Sequence, residues 1–402
     1  MSTSTYREIF AQREVRRVLL LSLIIRIPLW AGNVVLTLHV VSHLHQSYAA
    51  AGLLVAAATV ALAVSSPWRG RRLDQVGLRA AIVPSLLVLS ACWSVAPFVS
   101  YWPLLALASV AGLFTVPSFS IVRQALMHAV PEHQRKAVLS IDSVAVEISF
   151  MIGPVLGVLL ATYVSTPWAL FGCEFGSVLG GVLLWCVNPA LRSPEADSVA
   201  TTARSGPASW LNPAAVTALV AAAAATVVLT GTDVGIVAAL RHMHHQTWIG
   251  WVLAVWGLGS ALGALVYGAT HRAVPVVVLL ALLSAATIPV AVARDPVTIA
   301  VLLFVAGLFC APTVTATVDA LSRAVPERVR GEALGWHGSA MTTGSAAGAP
   351  LAGVAIDAVG WQGGFVVAGL VGLLVVAGGT LAARASTRDA EVVPREPVDA
   401  LT

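Results

Sequence analysis

Arg26, Asn33, Glu147 and Asp233 interrupt stretches otherwise made of alanine, valine, leucine, isoleucine and glycine. A polar or ionisable group inside such a run is costly, so it needs either a partner or a task, such as holding a proton, a cation or a polar solute. Arg26 and Glu147 each fall about eight or nine residues from the end of their runs, a depth of roughly 13 Å at helical rise. Equal depth would let them form an ion pair. Two readings stay open: a working pair, in which protonating Glu147 frees Arg26 for an anionic or polar solute, and a structural pair that locks two helices. Asp233 aligns with Asn33 at an offset of 200 residues, both toward the far end of their runs.

Other residues carry weaker signals. Asp142 lies about 140° around a helix from Glu147 and near the end of its run, and is read as solvated or bound to a loop arginine. Glu174 is shallow and read as structural. Trp30, Trp251 and Trp256 suit stacking on an aromatic or cationic solute, and equally suit packing or interfacial anchoring. His43, His45, His242, His244 and His245 fall in two segments that echo one another, "HLHQS" and "MHHQT". Their spacing is not that of a metal site, so no metal is expected; a pH-sensitive outer gate is the sharper reading.

The elements that must position these groups follow from composition. Of 402 residues, 58% are hydrophobic and 10% charged, and mean hydropathy is +0.86. That balance excludes a soluble globule and implies a bilayer protein. Cutting at turn residues and charge clusters predicts twelve spanning helices, at about 18–41, 48–66, 80–99, 102–122, 138–162, 168–188, 212–240, 248–270, 275–293, 296–318, 335–356 and 362–383. Glu8 and Glu14 among the leading arginines, and the lack of a small-residue cleavage signature, make the first run a span and not a cleaved signal. Cys92, Cys173, Cys186 and Cys310 stand singly in apolar runs and read as small hydrophobes.

With the N-terminus inside, only Arg241 and Arg294 of the 23 basic residues fall outside and Arg26 lies within a span. This asymmetry predicts both termini in the cytoplasm of a cell-membrane protein. It also accounts for the net charge of +4, so no nucleic-acid partner is inferred; membrane lipids are the expected surroundings, and the chain is expected to be monomeric. The segment "AGLFTVPSFSIVRQALMHAVPEHQR", 111–135, returns as "AGLFCAPTVTATVDALSRAVPERVR", 306–330, with twelve of 25 positions identical. The chain therefore reads as a duplication: a six-helix bundle at 1–188, a polar linker at 189–209, a second bundle at 210–384 and a cytoplasmic tail at 385–402. Pro131 and Pro326 are expected to start short helices in the repeated loops, leaving Arg135 and Arg330 to reach lipid phosphate or a neighbouring carboxylate.

Between the second and third spans, "GRRLDQVGLR" carries Gly70, Asp74, Gly77 and Arg79, and the fifth span carries "SFMIGPVLGV" with Gly153, Pro154 and Gly157. In these motifs and in its topology the chain resembles the major facilitator superfamily, most closely its bacterial twelve-span drug and metabolite exporters, over about residues 15 to 385. Gln75 replaces the family's usual arginine, and Ala108 stands where its fourth-span arginine would precede Gly112. The resemblance implies an all-α fold of two pseudo-symmetric six-helix bundles that alternately open a central site. It implies a cytoplasmic gate in which Asp74 faces the start of the eleventh helix, near Gly335, with Arg71, Arg72 or Arg79 replacing the missing charge. It implies a hinge between the halves at Gly153, Pro154 and Gly157, although Gly344, Gly348, Pro350 and Gly353 give the eleventh span a similar pattern. It also implies that Asn33 and Asp233 line the central cavity, making Asp233 the candidate cation or proton site.

Lys136 is the single lysine and lies outside any phosphate-binding loop, which excludes an ATP-driven pump. The expected function is secondary active transport by alternating access, with protons exchanged for a small amphipathic drug or metabolite, no cofactor and no enzymatic activity. Uptake or facilitated diffusion of a sugar or amino acid is the alternative within transport; a non-transporting receptor or scaffold is the alternative outside it.

Overall fold

The computed structural model describes residues 3–191, 210–245, 248–270 and 274–392. Most of the expected linker, residues 192–209, and the last ten residues of the tail lie outside these. The described chain is helical, as a bilayer demands of any segment that must satisfy its own backbone hydrogen bonds. Its α-helices are α1 (Thr3–Ala11), α2 (Arg13–Leu38), α3 (Tyr48–Val95), α4 (Tyr101–Phe114), α5 (Ser118–Ala129), α6 (Arg135–Tyr163), α7 (Thr166–Val187), α8 (Pro213–His242), α9 (Ile249–Ala269), α10 (Val276–Thr287), α11 (Pro296–Ala324), α12 (Arg330–Val359) and α13 (Gln362–Val392).

Nine helical stretches among the described residues are long and apolar enough to cross a membrane. One of them, Ala50–Phe98, runs for 49 residues and holds two spans, because Gly77 breaks its helix at φ 75° and ψ 172°. A positive φ of this kind costs a glycine little and a side-chain-bearing residue much more. The shorter apolar stretch Val276–Val292 and helix α12 complete the expected twelve.

The fourth span is the exception to simple helices. It breaks between α4 and α5, where Thr115 leaves helical geometry and Pro117 cannot donate a backbone hydrogen bond. The equivalent Pro312 is held inside the unbroken α11.

The repeated elbows fold alike. Each proline precedes a single 3₁₀ turn, Glu132–Gln134 or Glu327–Val329, so it caps the turn and does not begin an α-helix. Arg135 then donates to the Met127 carbonyl at 3.4 Å and Arg330 to the Ser322 carbonyl at 3.4 Å. Each arginine also pairs with its own loop glutamate, at 3.9 Å to Glu132 and 3.7 Å to Glu327. Of the two partners the sequence offered these arginines, each thus takes the neighbouring carboxylate, and the added carbonyl bond closes the elbow.

The two halves meet at the face that carries the basic loops. Met127 and Leu139 of the first half share a buried cluster with Trp210, Leu321, Val325 and Leu334 of the second. The Lys136 ammonium donates to the Thr270 hydroxyl at 2.7 Å and lies 3.8 Å from the Tyr267 ring centroid. Helix α1, unforeseen in the sequence, lies across this seam: Ile9 is buried with Val18 and Leu126, and the Tyr6 hydroxyl donates to the Leu265 carbonyl.

Gly153 and Gly157 do not lie between the halves. A Cβ on Gly153 would stand 2.9 Å from the Ile27 carbonyl oxygen, and one on Gly157 would stand 2.7 Å from that of Ala31, both on α2. In the second half a Cβ on Gly348 would meet the Val227 carbonyl of α8 at 2.9 Å. The glycines of both spans serve close packing of the fifth helix on the first and of the eleventh on the seventh, because only a bare Cα admits that approach. Pro154 lies inside the continuous α6.

This contrast gives a prediction. Gly157→Ala, which forces a methyl onto α2, should destabilise the protein by about 1–3 kcal/mol. Gly353→Ala, whose Cβ would meet nothing within 4 Å, should leave stability unchanged or slightly raised. Thermal unfolding of the two variants in detergent tests this: equal melting temperatures would refute the packing assignment.

Candidate functional site

Arg26 pairs with Asp142, not with Glu147. Its Nη1 lies 2.6 Å from Asp142 Oδ1 and its Nη2 lies 3.3 Å from Oδ2, and both side chains are fully buried. Arg123 Nε donates to the same carboxylate at 3.3 Å, and the Phe119 ring lies under Arg26 at 4.5 Å. Two geometric facts overturn the equal-depth reading. A helical side chain leans toward the N-terminus of its helix, so Arg26 reaches back toward the basic face and meets a carboxylate shallower than its own Cα. Asp142 and Glu147, roughly 140° apart on α6, also face different neighbours. Asp142 is neither solvated nor shallow in effect, and Arg123, expected in a loop, lies buried in α5.

Glu147 points across the seam instead. Ser260 of α9 donates to its Oε1 at 2.7 Å. Asp233 of α8 is partly exposed, makes no hydrogen bond or ion pair among the described residues, and lies within the electrostatic reach of Glu147. Cys310 of α11 is buried and packs with Trp256. Trp30 meets Phe150 edge-on at 5.0 Å, and the indole nitrogens of Trp30 and Trp256 are buried without partners. Asn33, one turn beyond Trp30 on α2, is exposed. Trp251 is 73% exposed, pointing away from this group.

The gate residues divide. The Asp74 carboxylate accepts from the Gly331 N–H at 3.0 Å and the Glu332 N–H at 2.7 Å, the first free amides of α12. A negative charge there is favoured by both hydrogen bonding and the helix dipole. Helix α12 begins at Arg330, earlier than the expected Gly335. Arg71 replaces the missing charge: it forks onto Glu332 with bonds of 3.0 and 2.7 Å. A Cβ on Gly70 would overlap the Gly331 carbonyl, and one on Gly335 the Ser66 carbonyl, so α3 and α12 touch backbone to backbone. Arg79 takes no part in this contact; it donates to the Trp185 carbonyl at 3.2 Å and stacks on the Trp185 ring, closing the end of α7 in its own half.

The remaining sequence candidates lie elsewhere. His43 stacks on the buried His39 at 5.0 Å, and His45 and His244 both take positive φ, 51° and 60°. His242 and His245 line a hollow of about 490 Å³ with Arg294, Asp295 and Trp361. No cluster of three metal-ligating side chains occurs among the described residues. Glu174 turns inward against Gly32 of α2. Sequence reasoning missed Ser260, Glu332 and the buried His337, whose Nε2 meets the Thr317 hydroxyl at 2.8 Å. Of these, only Glu332 had a signal, as a carboxylate in the first turn after a repeated elbow.

A sequence model of the Major Facilitator Superfamily matches residues 18–240 and again residues 214–398. The chain belongs to this superfamily. No curated protein matches it in sequence. Solved superfamily structures share its fold. The human organic anion transporter MFSD10 (TETRAN) superposes with a TM-score of 0.67 at 17% identity, over 91% of this chain and 99% of that one. A bacterial homologue of the iron transporter ferroportin, in an outward-facing state, gives 0.72 at 12% identity over 92% and 100%. The Escherichia coli fucose:proton symporter FucP gives 0.66 at 14% identity over 92% and 99%. The protein is accordingly a multi-pass membrane transporter with the all-α fold of two six-helix bundles, in a family of transporters and not enzymes.

The gate geometry carries its own test. Hydrogen bonds to a charged group contribute about 1.5–3 kcal/mol, so Asp74→Asn should speed amide exchange at the start of α12, residues 330–338, by about tenfold. Arg71→Glu should do the same, and Arg71→Glu with Glu332→Arg should restore protection. Hydrogen–deuterium exchange resolved to that peptide, unchanged in the single variants, would show that these contacts do not hold the halves together.

Proposed function

We propose that the protein is a proton-coupled exporter of a small amphipathic solute, working by alternating access in the cell membrane with its basic face and both termini in the cytoplasm. The observation that carries this reading is Glu147, which belongs to the first half and is bound by Ser260 of the second. A proton or a charged solute at this point senses the arrangement of both halves, as coupling requires.

Charge balance supports exchange. Arg26 and Arg123 are taken up by Asp142, which leaves Glu147 and Asp233 with no basic side-chain partner among the described residues, where burial favours their protonation or a positive charge on a solute. With Arg26 consumed by Asp142, the partly open carboxylates and the rings of Trp30 and Trp256 favour an amphipathic solute with basic character. Asn33 lines the same route from α2. Every hydrogen bond between the halves among the described residues lies between the basic face and the level of Glu147 and Ser260, which supports a cavity closed to the cytoplasm by Asp74, Gly70 and Gly77 and open to the other side.

The moving bodies are residues 1–188 and 210–384, with 189–209 as the tether and 385–402 as a tail, in a lipid-embedded monomer. Export is favoured over uptake by the resemblance of the sequence, through its Gly70–Arg79 and Gly153–Gly157 motifs, to the superfamily's bacterial drug and metabolite exporters.

Proteoliposomes with an imposed proton gradient test this. The wild-type chain should accumulate a lipophilic amine against its gradient; Glu147→Gln and Asp233→Asn should lose uphill accumulation and keep downhill exchange. Downhill flux alone in the wild type would make it a facilitator, and no flux across a broad solute panel would make it a scaffold. An Asp233→Asn variant with an unaltered pH profile would remove that residue from the proton site.

A further inference from the structure

A second polar feature of the first half has no part in gating. Between α3 and the end of α4, at the basic face, a lateral crevice of about 230 Å³ is lined by Trp68, Arg69, Arg72, Ala81, Ser85 and Phe114. Arg69 is 5% exposed, yet its described partners are neutral: the Leu113 carbonyl at 3.1 Å and the Ser85 hydroxyl. Its Nε is buried with no partner at all. Arg72, at the rim, lies 6.0 Å from the Trp68 ring centroid and has no acidic partner among the described residues. The nearby charges are spent elsewhere, Arg71 on Glu332 and Asp74 on the α12 amides. Among the described residues, two guanidiniums therefore flank one cavity with no anion to balance them, although a buried charge without a counter-charge is costly.

We propose that this crevice binds the phosphodiester headgroup of an anionic phospholipid. Arginine forks suit phosphate oxygens, with the Arg69 Nε–H and the Arg72 guanidinium as donors. The cavity has room for the headgroup and none for the chains. From its mouth Trp68, Val64 and Val60 descend at four-residue spacing on one side of α3, 53%, 71% and 61% exposed. That stripe gives an acyl chain a continuous apolar track, which a free phosphate ion would not use. Tryptophan and arginine at the membrane boundary match the headgroup level. A lipid held here would also steady the segment that presents Asp74 and Arg71 to α12.

Native mass spectrometry of the full-length protein in detergent, titrated with phosphatidylglycerol or phosphatidylcholine, tests the assignment. Phosphatidylglycerol should bind more tightly, and Arg72→Gln, an exposed position that the fold does not depend on, should weaken it about fivefold with phosphatidylcholine unaffected. Ala81→Leu, which fills the crevice and keeps both arginines, should weaken it similarly. Inorganic phosphate at matched ionic strength should not protect the protein against thermal unfolding. Equal binding of the two lipids, insensitivity to both substitutions, or protection by phosphate equal to that by phosphatidylglycerol would each overturn the proposal.

Discussion

Charge is scarce and expensive in a bilayer, and the whole interior of this transporter is arranged around how one buried carboxylate, Asp142, is shared. It takes the guanidiniums of Arg26 and Arg123 together, drawing α2, α5 and α6 into one unit. An arginine unpaired at that depth would need several kcal/mol from elsewhere. By satisfying Arg26 within the first half, Asp142 leaves Glu147 and Asp233 with no basic side-chain partner among the described residues. The electrostatic character of the central region thus follows from a structural pairing some distance from it.

The same economy governs the seam at the basic face. Asp74 is placed where two backbone amides and a helix dipole already wait, so it needs no cationic side chain. Arg71 and Glu332 then add a charge pair at the rim, where one partner keeps water contact and desolvation is modest. Such a contact is strong enough to hold a closed state and still breakable, because both partners regain water when the halves part. A fully buried pair such as Arg26 and Asp142 would be too costly to separate, and it lies within one half, where it never has to.

The sequence made the spans, the duplication and the approach of Asp74 to the eleventh helix legible, because each rests on periodicity, spacing or a local motif. Azimuth was harder. Depth alone put Arg26 opposite Glu147, and the lean of the arginine side chain together with the 140° between Asp142 and Glu147 reassigned the partner. The glycines at 153 and 157 read as a hinge because glycine signals close approach without naming what approaches; the same contact at Gly348 and Val227 identifies it as packing repeated in both halves. Arg135 and Arg330 were legible in part, since each takes the neighbouring carboxylate open to it, Glu132 or Glu327. A basic residue beside a membrane suggests lipid, while its nearest acceptor is the carbonyl end of its own preceding span. Helix α1 escaped notice because nine residues of mixed polarity carry no span signal.

Duplication explains the frame, and divergence explains where chemistry can occur. The two elbows and the two glycine faces keep each half a similar rigid body. Against that background Glu147 and Asp233 have no acidic counterparts, since Thr342 and Asn33 stand at the equivalent offsets of 195 and 200. A ligand shifts a two-state equilibrium only by its differential affinity for the two states. Solute and proton must therefore act at a group whose surroundings change when the halves move. Asp142 is enclosed by its own half in any such motion. Glu147 is held by a hydroxyl from the opposite half at the innermost bond of the seam. Its solvation, and hence its proton, is mechanically tied to which side is open, as the solvation of Asp74 is at the basic face.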